Sequence, residues 1–396
     1  MQNLPVYMDY HATTPVDARV LDAMMPFFSE HFGNAASLQH RFGWIAKESV
    51  DIARKKIADA INAQPKEIIF TSGATESNNC AVKGAAEANR SKGNHIITTQ
   101  IEHSCVMESC RRLERNGFSV TYLPVDAFGN VSVDKLANAI TDKTILVSVM
   151  TANNEIGTIQ PVSAIGKMCA ARGILFHTDA TQAVGRLPID VETMNIHLLS
   201  FSSHKMYGPK GIGALYIRSK NPRVAVTAQI DGAGHEYGMR SGTLNVAGIA
   251  GFGKAVQIAM EEMDVENERI FRLRNRLQEQ LLKIGGTTVN GNSAERLPNN
   301  LSVTFHGVNA DQLMTEMNDV AVSAGSACTS EETGDIQYSR VLHAIGLDEN
   351  AGKSTIRFGL GRFTTEEEVD YAANRIQSVV VQRREQTEVV YNEHQI

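Results

Sequence analysis

Cysteine is scarce in this chain: 396 residues hold five, namely Cys80, Cys105, Cys110, Cys169 and Cys328. So few thiols, odd in number and widely spaced, do not make a disulfide framework. Cys105 and Cys110 lie near His103, but no second ligand pair follows at zinc spacing, so no metal is expected. Positive charge is in deficit too. Lys and Arg total 38 against 44 Asp and Glu, a net charge of −6, which argues against direct nucleic-acid binding as the main role. Long apolar runs are missing; the stretch 145–150 is far too short to span a bilayer, so no membrane partner is expected. The opening MQNLPVYMDY has no basic region followed by an apolar stretch, so no signal peptide is expected. These absences leave a soluble protein of a reducing compartment, expected in the cytoplasm.

With 42% hydrophobic and 21% charged residues, the chain is near the soluble average, which excludes disordered, collagen-like and coiled-coil classes. Its length predicts roughly two to three domains. Short apolar or β-branched runs at 68–71, 95–100, 119–123, 145–150, 174–177, 198–202 and 213–217 predict strands buried on both faces. Helix-like segments such as 105–115 and 164–171 lie between them, the latter stopped by Gly173. Alternation of this kind predicts an α/β architecture with a mostly parallel seven-stranded sheet. After Asn245 a long helical stretch runs to about Ile284, followed by a Gly/Asn/Pro-rich connection, a strand at 301–305 and a helix at 310–317. A second, smaller α+β domain is expected there.

In open parallel sheets ligands bind at the carboxyl ends of strands, and four such junctions carry chemistry. The first, Thr71-Ser72-Gly73-Ala74-Thr75-Glu76-Ser77, offers backbone N–H groups and a positive dipole end suited to a phosphate, or a plain N-cap on Ser72 or Thr75. The second places Asp179 after a strand, either as a buried anion facing a ring nitrogen or as a cap. The third is Ser203-His204-Lys205, where Lys205 directly follows an apolar strand and Lys210 lies further along the loop. A partly desolvated lysine has a lowered pKa and forms Schiff bases. The fourth presents His103, either to stack on a planar ring or to cap the next helix. Phosphate cradle, carboxylate, lysine and imidazole together match the needs of pyridoxal 5'-phosphate (PLP). A rival glycine cluster, Gly232 to Gly238, is one residue too long for a dinucleotide fingerprint and lacks a surrounding βαβ unit.

Among the thiols, Cys80 and Cys169 sit in apolar helical patterns, whereas Cys328 lies in a run of small residues followed by an acidic stretch. A nucleophilic thiolate on a loop is the functional reading of Cys328.

Seven motifs then carry a resemblance. They are Asp9-Tyr10-x-Ala12-Thr13-Thr14-Pro15, the Thr71–Ser77 turn, Asn153-Asn154-Glu155-Ile156-Gly157, the 177–182 segment, His204-Lys205-x-Tyr207-Gly208-Pro209-Lys210-Gly211, the 238–243 segment and Gly325-Ser326-Ala327-Cys328-Thr329-Ser330. Together they resemble the cysteine desulfurases of the NifS/IscS type, class V, fold-type I PLP-dependent transferases, over nearly the whole chain. The resemblance implies a large PLP domain at 15–262 and a small domain, formed by 1–14 and 263–396, that carries the cysteine loop.

By the same resemblance Lys205 would be the Schiff-base lysine, Asp179 the partner of the pyridine nitrogen and His103 the ring-stacking proton relay. Gln182 would bind the phenolic oxygen. Ala74, Thr75, Ser202, Ser203 and His204 would surround the phosphate, joined by Thr243 from the other subunit of a homodimer. Asn154 would contact cofactor and substrate, and Arg357 would grip the substrate carboxylate, with Arg362 as the nearby alternative. The implied reaction converts L-cysteine to L-alanine and leaves a persulfide on Cys328 for a sulfur-acceptor protein, such as an iron–sulfur scaffold or a tRNA- or DNA-modifying enzyme. A selenocysteine lyase or transaminase of the same class, and a non-catalytic sulfur carrier, are the competing readings. Departures from the family pattern include Ser203, where glycine is usual, and Gly359, where serine is common.

Overall fold

The structure, a computed structural model, describes residues 5–324 and 338–393, with side chains described as far as residue 386. Its centre is a seven-stranded sheet in the order Ile68–Thr71, Gly213–Ile217, Leu198–Ser202, Leu175–Asp179, Thr144–Ser148, His95–Thr99 and Ser119–Leu123. Gly213–Ile217 runs antiparallel to both its neighbours, and the remaining pairs are parallel. The sheet is therefore mixed α/β and mostly parallel, as the alternating pattern predicts.

Successive side chains of a strand point to opposite faces, and both faces are covered. Phe70, Ile97, Val147, Phe176 and Phe201 enter one apolar cluster. Ile69, Ile96, Leu146, Leu198 and Leu215 enter another on the opposite face. Strands wetted on neither side need continuous apolar sequence, which is why these runs stand out.

Several expected strand ends shift by one or two residues, and one of these shifts bears on the site. The run expected to stop at His177 continues to Asp179, whose backbone pairs in register with Ser200. Polarity at Thr178 and Asp179 masks the strand in the sequence, yet both side chains are buried. Asp179 is thus the last residue of a strand, fixed by its ladder.

The Val246–Leu281 helix spans 36 residues, about 54 Å at 1.5 Å per residue. Its first half packs Ile249, Phe252 and Val256 into the core beneath the large sheet. Its second half packs Ile270, Leu273 and Leu277 into a separate core. That second core belongs to a four-stranded antiparallel sheet in the order Ser323–Ala324, Thr355–Gly359, Asn300–Phe305 and Thr287–Asn290. Val6–Tyr7 pairs in parallel with Val320–Ala321, and Val6 and Met8 lie in the second core. Among the described residues no helix is long and apolar enough to cross a membrane.

Candidate active site

Strand ladders bring the four sequence-predicted junctions to one edge. Thr71 pairs with Gly213, which also pairs with Ser202, so the turns after Thr71 and Ser202 lie side by side. Gly213 is required there: a Cβ on it would approach the Cα of Gly73 to 2.7 Å. Gly73 itself has φ +154, a backbone geometry other residues rarely adopt. A cavity of about 600 Å³ opens at this edge. Ala74, Thr75, His103, Asn154, Asp179, Gln182, Ser202, His204, Lys205 and Arg357 all line it.

At one end, Gly73 caps the helix that starts at Ala74 but supplies no capping side chain. The plain cap on Ser72 or Thr75 is therefore not formed. First-turn N–H groups lack intrahelical partners, so this end of the cavity is electropositive and suited to a phosphate, with Ser202 and His204 beside it. Glu76 in the same turn would repel an anion, but it accepts from the Ser72 N–H at 2.8 Å and from Arg240 at 2.9 Å. Those partners hold its carboxyl below the usual range against the opposing effect of burial.

Lys205 ends the short helical turn Ser203–Lys205, and its Nζ donates to the carbonyl oxygens of His11 at 2.5 Å and Ala12 at 2.7 Å. Lys210 also reaches the cavity but is exposed. The Asp179 carboxylate accepts from Asn78 Nδ2 at 2.7 Å and from the Thr181 N–H at 2.9 Å. His103 resolves its two readings by doing both: it lines the cavity and caps the Ser104–Arg115 helix, accepting from the Cys105 N–H. Burial pushes its pKa down, Asp179 opposes that, and Lys205 and Arg340 add to it, so the ring is neutral at neutral pH. His204 is held lower still, at about 4, by burial and by Lys205 and Lys210.

These groups fit PLP. Three buried polar atoms among the cavity-lining residues, His11 Nε2, Thr181 Oγ1 and Arg357 Nε, have no hydrogen-bond partner among the described residues. Buried polar groups are rarely left so. The open helix end, the carboxylate and the lysine provide, respectively, for a phosphate, a protonated ring nitrogen and an aldehyde.

Arg357 and Arg362 part company. Arg357 lines the cavity and pairs with Asp9 at 2.8 Å, while its Nη1 donates to the Asn154 carbonyl. Arg362 bonds to Asp17 and Glu266 and lies 4.3 Å over the Tyr207 ring, away from the cavity. An internal carboxylate is its partner.

One expected residue is elsewhere, and a second is one assigned to the other subunit. Ser203, expected beside the phosphate, is fully buried and does not line the cavity; it is packed where a Cβ on Gly208 would come within 1.9 Å of its Oγ. Thr243 is exposed and outside its own chain's cavity. Cys328 lies outside the described residues; Ser323, shortly before it, lines the cavity. On the far side, Ser339 donates to Glu155, and Val341 and Leu342 pack with Ile101 and Met150 in a small satellite core. The sequence reading passed over His11, which filled the unassigned position of the first motif. Its Nδ1 bonds to Gln182 Oε1 at 3.0 Å, and Gln182 Nε2 donates to the His11 carbonyl at 3.1 Å. No spacing signal would have found that pair.

The aminotransferase class-V family matches residues 6–372. The chain belongs to that family. A cysteine desulfurase IscS of Anaeromyxobacter sp. (strain Fw109-5) is 54% identical over 383 residues, covering 96% of this chain and 94% of the relative. Among solved structures, a NifS-like protein superimposes with a TM-score of 0.88 at 38% identity, covering 95% of this chain and 99% of that one. SspA in complex with cysteine gives 0.80 at 39% identity, covering 91% and 100%. Members of the class-V family use PLP, in keeping with the donor set of the cavity.

Proposed function

We propose that this class-V enzyme is a PLP-dependent cysteine desulfurase that converts L-cysteine to L-alanine, takes the sulfur as a persulfide on Cys328 and passes it to an acceptor protein. The observation that carries the reading is the convergence of Lys205, Asp179 and His103 on one cavity. A relative at 54% identity is named for this activity, and a similar solved structure is described as holding cysteine.

Bound PLP supplies an electron sink for the substrate's α-carbon. Lys205 would hold the aldehyde of PLP and would serve as the base for the substrate's α-proton. Asp179, already bonded to Asn78 and Thr181, keeps the ring nitrogen protonated. His103, neutral in its buried setting, would stack on the ring and move protons. Gln182 would serve the phenolic oxygen, and Ala74, Thr75, Ser202 and His204 would hold the phosphate. Arg357 grips the substrate carboxylate with Asn154 beside it. The Cys328 thiolate attacks the substrate sulfur: an S–S bond forms, the C–S bond breaks, and its electron pair takes up a proton at carbon to give alanine. Release of sulfide then needs an external thiol reductant.

The same reading assigns 15–262 to the PLP domain and 1–14 with 263–396 to the small domain, supported by the two separate cores that the long helix joins. It takes the enzyme as a cytoplasmic homodimer with Thr243 serving the partner's phosphate, consistent with the exposure of that residue. Acceptors would include an iron–sulfur scaffold or a nucleic-acid-modifying enzyme. The reading is tested by adding PLP and L-cysteine: a visible cofactor band and stoichiometric alanine are expected, both lost in Lys205→Ala. Alanine formation by the Lys205→Ala variant would sink it.

A further inference from the structure

On the cavity wall, Cys105 stands between His103 and Asn78, the residue that bonds Asp179. Its Sγ lies 3.0 Å from His103 Nδ1 and 3.2 Å from Asn78 Nδ2. The same Asn78 nitrogen donates to Asp179 Oδ2 at 2.7 Å. A carboxylate accepts only, so the amide nitrogen of Asn78 must face Asp179, which settles its orientation. Its Oδ1 is left buried with no partner among the described residues, a cost that the opposite orientation would replace with oxygen against carboxylate. The second amide hydrogen of Asn78 then points to Sγ. With Sγ accepting there, the thiol's own proton is directed to Nδ1.

Nδ1 receives a second donor. The backbone N–H of Cys105 reaches it at 3.2 Å, and a peptide nitrogen cannot accept. Two donors aimed at one ring nitrogen leave no room for a proton on it. We propose that Cys105 is a positioning residue that holds His103 as the neutral ring with its proton on Nε2. The polarity runs one way, from Asn78 to the Cys105 thiol to His103, with Asp179 anchoring the amide at the start. This rests on the reading of His103 as the active-site imidazole.

Burial supports the arrangement, since it raises the Cys105 thiol to about 12 and keeps the S–H intact at neutral pH. The charged groups facing His103 are Asp179 on the sheet, Lys205 on the turn after Ser202 and Arg340 on the helix beyond the cysteine segment; Asp179 favours the charged ring and the two cations oppose it. None of the three distinguishes Nδ1 from Nε2. Cys105 does, because its donors reach only Nδ1.

The test is ¹⁵N spectroscopy of histidine-labelled protein, with and without PLP, the His103 signals being assigned with His103→Gln. Wild type is expected to show the Nε2–H form, with a protonation midpoint below the ordinary value of 6.5. Cys105→Ala removes the S–H donor that favours the neutral ring, so its midpoint should rise by at least about half a unit, roughly threefold in proton affinity. Cys105→Ser, whose hydroxyl can donate in the same place, should restore it. The acid limb of alanine formation should move with the midpoint. An Nδ1–H ring in wild type, or an unchanged midpoint in Cys105→Ala, overturns the proposal. Either spectroscopic result stands whether or not the enzyme acts on cysteine.

Discussion

Arg357 Nη2 lies 2.8 Å from Asp9 Oδ1, so the arginine at the substrate end of the cavity is already aimed by a carboxylate. Asp9 is itself held by the Ser323 hydroxyl at 2.8 Å. A guanidinium fixed on one edge keeps its other donors in one orientation, which suits bidentate binding of a carboxylate. Asp9→Ala should raise KM for cysteine about tenfold, near 1.4 kcal/mol, with kcat changed far less. Steady-state kinetics check this. A fall in KM would mean that Asp9 competes with the substrate instead of orienting its receptor.

Reactivity should single out one thiol. Cys80, Cys105, Cys110 and Cys169 are buried and free. Burial raises Cys80 to about 11 and Cys105 and Cys169 to about 12, and Cys110 higher still. Thiolate is the nucleophile, so at neutral pH these four have almost none. Brief alkylation of the native protein with iodoacetamide should label Cys328 alone, as read by peptide mass spectrometry. Equal labelling of Cys105 would refute the burial argument.

Glu102 gives the protein a stability that depends on pH. Its carboxyl is buried, with Oε2 unpartnered among the described residues, and burial raises its pKa to about 8 from 4.5 despite the bonds from Met150 N–H and Thr99 Oγ1. The folded protein therefore holds a proton that the unfolded chain has released between about pH 4.5 and about pH 8. Folding binds the proton in that window, so this residue's contribution declines as pH rises through it. Glu102→Gln, which imitates the protonated form, should melt higher than wild type at pH 9 by roughly 1–4 °C and equal it near pH 5. Calorimetry at both pH values decides; a lower Tm for the variant at pH 9 contradicts it.

The phosphate end of the cavity depends on a close backbone approach. Gly213→Ala would place a methyl 2.7 Å from Gly73 Cα, where neither strand nor turn can give easily. The turn from Ser72 to Thr75 must shift, and a helix end displaced by even 1 Å loses its grip on a phosphate. PLP affinity should fall at least about tenfold by titration of the visible band, with the fold retained by circular dichroism. Unchanged affinity would show that this turn does not hold the phosphate.

How much of this was readable beforehand follows the physics of burial. Most strands of the large sheet were marked by apolar or β-branched sequence because both their faces are covered, whereas the edge strand Ser119–Leu123 is only half-buried. The polar end of the Leu175–Asp179 strand was missed, since Thr178 and Asp179 are buried for a site instead of a core. Lys205, Asp179 and His103 could be nominated from strand ends, but their convergence required the ladders. Ser203 was placed at the phosphate by its neighbours in sequence, whereas its side chain turns into the core beside Gly208. His11 and Asn78 had no signal at all, since each acts through a contact between distant segments; Cys105 stood out only for lying near His103, and its place between His103 and Asn78 required the fold.

The central claim is that sulfur leaves cysteine through Cys328. The most direct measurement is alanine and persulfide formation by Cys328→Ser loaded with PLP and given L-cysteine. The visible cofactor band should persist and shift when cysteine is added, while alanine formation falls at least about a hundredfold, near 2.7 kcal/mol in the barrier, with no enzyme-bound persulfide. Undiminished alanine and sulfide from that variant would contradict the account.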